Sequence, residues 1–219
     1  MAIISFKHDF IFIKTRKTAG TSIEIDLSPV AGADAVVTPI QPPAPGHVPR
    51  NYLDDDGQPL FFNHMAAREI RQKLGQRRFS AMTRFCVERE PVEKCISHFH
   101  MLCNSPLHNP DGSYHRDWQR YCEEGRFPID VNHYSARTPE GRVLLVDHIL
   151  RYDRLERDLP ALMARLGLPG FRLRHRAKSE FSRNRLVRPE DVTSAQRAII
   201  HDRFRESLDV SGISWDIAA

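Results

Sequence analysis

The 219-residue chain has no run of eighteen apolar residues and a mean hydropathy of −0.47, which excludes a hydrophobic membrane-spanning helix. Cysteine is scarce. The four present, Cys86, Cys95, Cys103 and Cys122, lack C-x-x-C spacing and the density of a small secreted scaffold, which argues against a disulfide or zinc framework and for reduced thiols. Residues 1–12 lack a basic n-region and a small-residue cleavage site, so the expected location is the cytoplasm. No internal repeat is found. A strong bias of charge is also missing: 32 Lys and Arg against 28 Asp and Glu leave +4, a mild excess that suits an anionic partner.

What is present alternates between strand and helix patterns. Phe10-Ile11-Phe12-Ile13 is a short apolar run of the kind buried on both faces of a parallel sheet. A polar loop follows, and then a helix carrying Ile23 and Leu27 on one face, for which Thr21 and Ser22 are the expected cap. Six prolines and two glycines make residues 38–60 a long irregular excursion. Met65, Ile70 and Leu74 predict a helix over residues 64–75, and residues 81–87 read as a second core strand. Pro91 suits a first helical turn, with Val92, Cys95, Ile96, Phe99 and Cys103 along one helix face. Residues 143–150 read as a third strand, and residues 155–166 as a helix stopped by Gly167 and Pro169. The alternation implies an α/β fold with a central parallel sheet, read as one domain over residues 1–219. In such sheets ligands bind beyond the carboxyl ends of the strands, which points to residues 14–22 and 89–97.

Lys14-Thr15-Arg16-Lys17-Thr18-Ala19-Gly20-Thr21-Ser22 sets three cations, several hydroxyls and a glycine between a strand and a helix N-terminus. Such a loop is a phosphate cradle: backbone N–H groups and the positive end of the helix dipole favour an anion, and Gly20 allows close approach. It is not a Walker A loop, because Lys17 precedes Gly20 instead of following it.

The order Lys17-Thr18-x-Gly20-Thr21-Ser22 resembles the 5′-phosphosulfate loop of sulfotransferases that use 3′-phosphoadenylyl sulfate (PAPS). Arg89-Glu90-Pro91 at the end of the second strand, with Ser97 eight residues after the arginine, resembles that family's 3′-phosphate motif. Arg89 offers a bidentate fork to a phosphate and Ser97 a hydroxyl. A third segment, Arg151-Tyr152-Asp153-Arg154-Leu155, is similar to the family's R-Y-E-D-L, with the acidic pair altered. The likeness runs from residue 10 to 169 and is greatest to carbohydrate sulfotransferases of the heparan and chondroitin type. It implies a P-loop-like three-layer fold with helices flanking the sheet, PAPS as co-substrate without a metal, and an acceptor hydroxyl on a sugar.

The resemblance also assigns roles. Lys17 is the cation for charge on the leaving oxygen, and Lys14, Arg16, Thr18, Ala19, Gly20, Thr21 and Ser22 join it around the nucleotide. A histidine titrating near neutral pH suits the general base. His64, between the two motifs, matches the histidine position of heparan 2-O-sulfotransferases, and His133 is the reserve candidate. His98 and His100, at i and i+2 on a helix, point to different sides and make poor co-ligands for a metal. Residues 172–188 carry six arginines and Lys178 against Glu180; Lys178 and Arg183 are candidate 3′-phosphate contacts. That basic run carries no recognisable nucleic-acid motif. Two rivals stand beside this reading. One is a P-loop nucleotide kinase or NTPase, favoured by Val143-Leu144-Leu145-Val146-Asp147 as a Walker B strand. The other is a non-catalytic module that holds a nucleotide or a polyanion.

Overall fold

The chain is described by a computed structural model covering residues 2–114, 117–177 and 185–215. Its strands are β1 (Ala2–Ser5), β2 (Phe10–Ile13), β3 (Val36–Val37), β4 (Thr83–Glu88), β5 (Ser135–Thr138), β6 (Gly141–Leu144) and β7 (His148–Arg151). Its α-helices are α1 (Gly20–Leu27), α2 (Ala67–Leu74), α3 (Gln76–Ala81), α4 (Pro91–Asn104), α5 (Trp118–Glu124), α6 (Val131–Tyr134), α7 (Leu155–Arg165) and α8 (Ser194–Ser211). These divide into two compact units, Met1–Glu88 with Asp130–Arg176, and Arg89–Ile129 with Ala177–Ala219.

The first unit is built on a five-stranded sheet of order β3-β1-β2-β4-β7. β2, β4 and β7 run parallel, with Phe12 opposite Phe85 and Phe85 opposite His148. The all-parallel expectation is corrected at the other edge, where β1 pairs antiparallel with both β2 and β3. Only residues 6–9 join β1 to β2, which suffices for a hairpin, whereas a parallel crossover needs a dozen or so residues. The sheet is therefore mixed. Phe10, Ile11, Phe12 and Ile13 are all fully buried, as a continuous apolar run in an interior strand requires. Leu155, Leu159, Leu162 and Met163 of α7 and Ile23 and Leu27 of α1 share one core with Phe10, Phe12, Phe85 and Val87. The Phe12 and Phe85 rings stack at 5.2 Å, and each such side chain contributes about 1.5–3 kcal/mol by leaving water.

The strand expected over residues 143–150 is two elements. Residues up to Leu144 form an antiparallel hairpin of β5 and β6, and β7 starts at His148. Asp147 lies between them. Its backbone N–H donates to the Arg84 carbonyl (2.8 Å), while its carboxylate accepts from the Arg84 N–H at 2.8 Å and from the Arg84 guanidinium. That side chain takes the place of a ladder carbonyl, so the chain turns into the sheet at this point. Burial works against ionisation of Asp147, but the hydrogen bonds and charge of Arg84 outweigh it and hold the carboxyl below the usual range. The Pro-rich excursion is mostly irregular, tied down by Arg50, which pairs with Val37 and donates to the carbonyls of Ser28 and Gly32 at 2.7 Å each.

The second unit is helical among the described residues. Pro91 opens α4 and the Glu90 carboxylate accepts from Glu93 N–H at 2.7 Å, closing the helix start. Val92, Cys95, Ile96 and Phe99 meet Trp118, Tyr121, Ile200 and Phe204 in a separate core. Helix α8 begins at a Thr193–Gln196 capping box, and the same glutamine accepts from the Trp118 indole at 3.1 Å. Cys86, Cys95, Cys103 and Cys122 are free thiols. No helix among the described residues is long and apolar enough to cross a membrane.

Candidate functional site

The loop after β2 is held by its own side chains. The buried Thr15 hydroxyl donates to the Val87 carbonyl near the end of β4 and lies 2.8 Å from Thr18 Oγ1, which is also 3.1 Å from the Thr15 carbonyl. The adjacent ends of β2 and β4 are thereby tied together, and Thr18 spends its hydroxyl inside the loop. Lys17 and Ala19 adopt left-handed backbone, with φ of 62° and 60°. For residues with a Cβ this costs roughly 1–2 kcal/mol each. Left-handed residues set among right-handed ones turn successive N–H groups to one concave side, the backbone arrangement that receives anions.

Helix α1 starts one residue before the expected cap. Its N-cap is Ala19, no side chain caps it, and Thr21 and Ser22 are buried within the helix. Thr21 Oγ1 instead accepts from Lys14 Nζ at 3.3 Å, and Glu24 Oε2 accepts from the same ammonium at 2.9 Å. Both members of the Lys14–Glu24 pair are buried. Gly20 has a packing reason as well as the one expected from the sequence: a Cβ there would fall 2.5 Å from Lys14 Cγ.

Asp130, at the entry to α6, grips the loop from across the unit. Its Oδ2 accepts from the Arg16 backbone N–H at 2.7 Å and its Oδ1 from Arg16 Nε at 2.8 Å, with the carboxylate wholly buried. His64 and His133 meet beside this contact, their ring centroids 6.2 Å apart at 77°. His64 has a φ of 58°, a third left-handed position in this small region. Its Nδ1 is 3.2 Å from the Lys14 carbonyl. A carbonyl only accepts, so that bond puts the proton on Nδ1 and leaves Nε2 as the lone-pair nitrogen. Burial, then nearby positive charge including Lys14, lowers the His64 pKa to about 3 against a smaller opposing pull from Asp130. His133 is lowered too, by burial first, while Asp130 pulls it back up. His47 of the Pro-rich excursion is also lowered, by burial and then by the charges of Lys14 and Arg50.

Lys14, Arg16, Thr18, Gly20, Thr21, His64 and His133 are thus gathered in the first unit, with Lys17 and Ala19 shaping the loop. Arg89 and Ser97 belong to the helical unit. Arg89 Nε donates to Glu93 Oε2 at 3.2 Å, and Ser97 is half-buried on α4. His98 and His100 each have their own partner, Tyr121 Oη at 2.9 Å and the Val187 N–H at 3.3 Å, as their spacing implies. Lys178 and Arg183 lie outside the described residues. Sequence reasoning missed Glu24, Asp130 and His47. Glu24 is signalled weakly by its place one turn past Thr21; Asp130, 114 residues from Arg16, is signalled by nothing local.

The chain matches no protein-family model, no curated protein and no solved structure.

Proposed function

We propose that this protein is a sulfotransferase that moves a sulfuryl group from PAPS to an acceptor hydroxyl, on a carbohydrate or glycoconjugate. The observation that carries the reading is the loop after β2, with left-handed Lys17 and Ala19 and an uncapped helix start, beside two imidazoles. Sulfuryl transfer needs little covalent help from a protein; it needs a held anion, a cation for the leaving oxygen and an acceptor for one proton. The acceptor oxygen bonds to sulfur as the bond from sulfur to the phosphate oxygen breaks, releasing 3′-phosphoadenosine 5′-phosphate (PAP). Lys17 offsets charge on that leaving oxygen, and an imidazole nitrogen of the His64–His133 pair takes the hydroxyl proton. The sequence resemblance assigns Arg89 and Ser97 to the 3′-phosphate.

The kinase reading loses its best support, because Asp147 lies at the amino end of β7 and is paired with Arg84. A Walker B acid stands at a carboxyl end. The binding-module reading differs from ours only in turnover.

Titration with PAP under thermal denaturation tests the reading. At a hundredfold excess over Kd a ligand confined to the native state adds about 2.7 kcal/mol, a rise of roughly 5–10 °C for a chain of this length. No shift at millimolar PAP overturns the proposal. A shift without transfer of labelled sulfate from PAPS to any of a panel of saccharides favours the binding module. Lys17→Ala is expected to keep the fold and lose about 10²-fold or more in turnover, as removal of a charge-stabilising donor does.

A further inference from the structure

We propose that His133 is the proton acceptor of this site and that Asp130 is its positioning residue, holding the proton on His133 Nδ1 and leaving Nε2 as the base. The inference rests on the sulfotransferase reading for its chemistry, but its geometry stands independently.

His133 Nδ1 is buried and 3.3 Å from Asp130 Oδ1, a separation at which an N–H on that nitrogen is attracted to the carboxylate although the present angle is off the hydrogen-bond direction. The His133 backbone N–H donates to the Asp130 carbonyl at 2.7 Å, so the two residues cannot drift apart within α6. Asp130 is in turn fixed by two donors from Arg16. The result is a nucleophile-assisting base with its far nitrogen oriented by a buried carboxylate, the logic of hydrolase triads transferred to proton removal from a hydroxyl.

The neighbouring His64 is oriented differently. Its Nδ1 is committed to the neutral Lys14 carbonyl, so a proton arriving on Nε2 creates a cation with only a carbonyl dipole behind it. The charged groups around each ring point the same way. Around His133 stand Asp130 at the start of its own helix, Arg16 from the loop after β2 and neutral His64; Asp130 is the largest single charge acting on the ring and favours its protonation, with Arg16 first among the positive charges that oppose it. Around His64 the positive charge, Lys14 included, exceeds what Asp130 offers. A proton leaving the acceptor hydroxyl therefore has a better resting place on His133 Nε2 than on His64 Nε2. It returns to solvent once PAP and the sulfated product leave.

Long-range 1H–15N spectra of 15N-histidine-labelled full-length protein, assigned with His133→Gln and His64→Gln, test the arrangement without any substrate. The expected result is the Nδ1–H tautomer at His133, and protonation of His133 before His64 as the pH falls from 8 to 4. In Asp130→Asn the amide cannot satisfy the Arg16 N–H, Arg16 Nε and His133 Nδ1–H together, so His133 is expected to switch to the Nε2–H form. An Nε2–H tautomer in the wild type, or His64 protonating first, overturns the proposal, even where Asp130→Asn fails to fold. Were Asp130 only a clamp on the loop, Asp130→Asn would weaken PAP binding and leave the His133 tautomer as it was, which likewise refutes it. With PAPS and the saccharide panel, His133→Gln is expected to lower kcat by 10²- to 10⁴-fold with PAP affinity within twofold of wild type, and His64→Gln to cost less. PAP binding with undiminished kcat in His133→Gln sinks this assignment and spares the sulfotransferase reading; absence of PAP binding sinks that reading while the tautomer result stands on its own.

Discussion

Gly20→Ala separates two reasons for a glycine at the start of α1. A Cβ at this position falls 2.5 Å from Lys14 Cγ, 2.8 Å from Cε and 3.1 Å from Cδ. Non-bonded carbons rest at about 3.5–4.0 Å, so the new methyl overlaps most of the lysine stem. The stem cannot swing aside freely, because its ammonium is held by Glu24 at 2.9 Å and Thr21 at 3.3 Å in a buried setting. Displacing the first turn of α1 costs about 1–3 kcal/mol, as overpacking does. Expelling Lys14 costs about 3–5 kcal/mol, because Glu24 is then left buried without its partner. Alanine's better helix propensity returns at most about 1 kcal/mol. The cheaper response sets the outcome, a net loss of about 1–2 kcal/mol or a fall of roughly 2–8 °C in Tm, read by circular dichroism without nucleotide. An unchanged Tm combined with lost PAP binding would refute the packing argument and restore close approach of an anion as the sole reason for the glycine.

Two further outcomes follow from the same region. Thr15→Val removes the hydroxyl that donates to the Val87 carbonyl and meets Thr18; leaving that buried acceptor unsatisfied costs about 1–3 kcal/mol in denaturant unfolding, and Thr15→Ser should recover most of it, so equal losses in both variants would count against the bond. For His64 the folded pKa, about 3, lies below the unfolded value of about 6.5. The unfolded chain therefore binds the extra proton, and stability present above pH 6.5 is lost as the pH falls toward 3. His64→Gln should flatten the decline of Tm between pH 7 and pH 4; parallel profiles for wild type and variant would show that the ring is not buried as a neutral group.

Local signals in the sequence were enough for the central elements. The unbroken apolar run at residues 10–13, the Pro91 start of α4 and the Gly167 stop after α7 each depend on neighbours within one or two turns. The failures have more than one physical cause. β1 is a strand because a four-residue turn folds it back on β2, and residues 143–144 pair with β5 because the chain joins the sheet only after Asp147 binds Arg84, 63 residues away. Helix α8 carries a local signal, the Thr193–Gln196 capping box, outside the elements expected from periodicity. In the site, the loop's place at the end of β2 follows from the apolar run and the polar stretch after it, whereas the nearness of His64 and His133 has no local signal. The cap at Thr21 and Ser22 was misassigned because a hydroxyl at a helix start can serve a buried lysine as readily as a backbone N–H.

The largest difference between sequence and fold is in the meaning of charge. Residues 14–17 carry three cations, which in sequence read as three ligands for an anion. In the fold, Lys14 meets buried Glu24 and Arg16 meets buried Asp130, so these five side chains, Lys17 included, sum to one positive charge. Pairs closed within 3 Å behave as dipoles at any distance comparable to the screening length of about 8 Å, so they add little to long-range attraction. Their effect is mechanical: Glu24 keeps the Lys14 stem beneath Gly20, and Asp130 keeps the Arg16 amide at the turn where Lys17 goes left-handed. Strained backbone of this kind persists only where surroundings over-determine it, and the buried Lys14–Glu24 pair does so together with the grip of buried Asp130 on the partly exposed Arg16. The loop's basic character therefore serves first to fix the amides, and in the proposed function what meets the anion is that fixed backbone together with a single net positive charge.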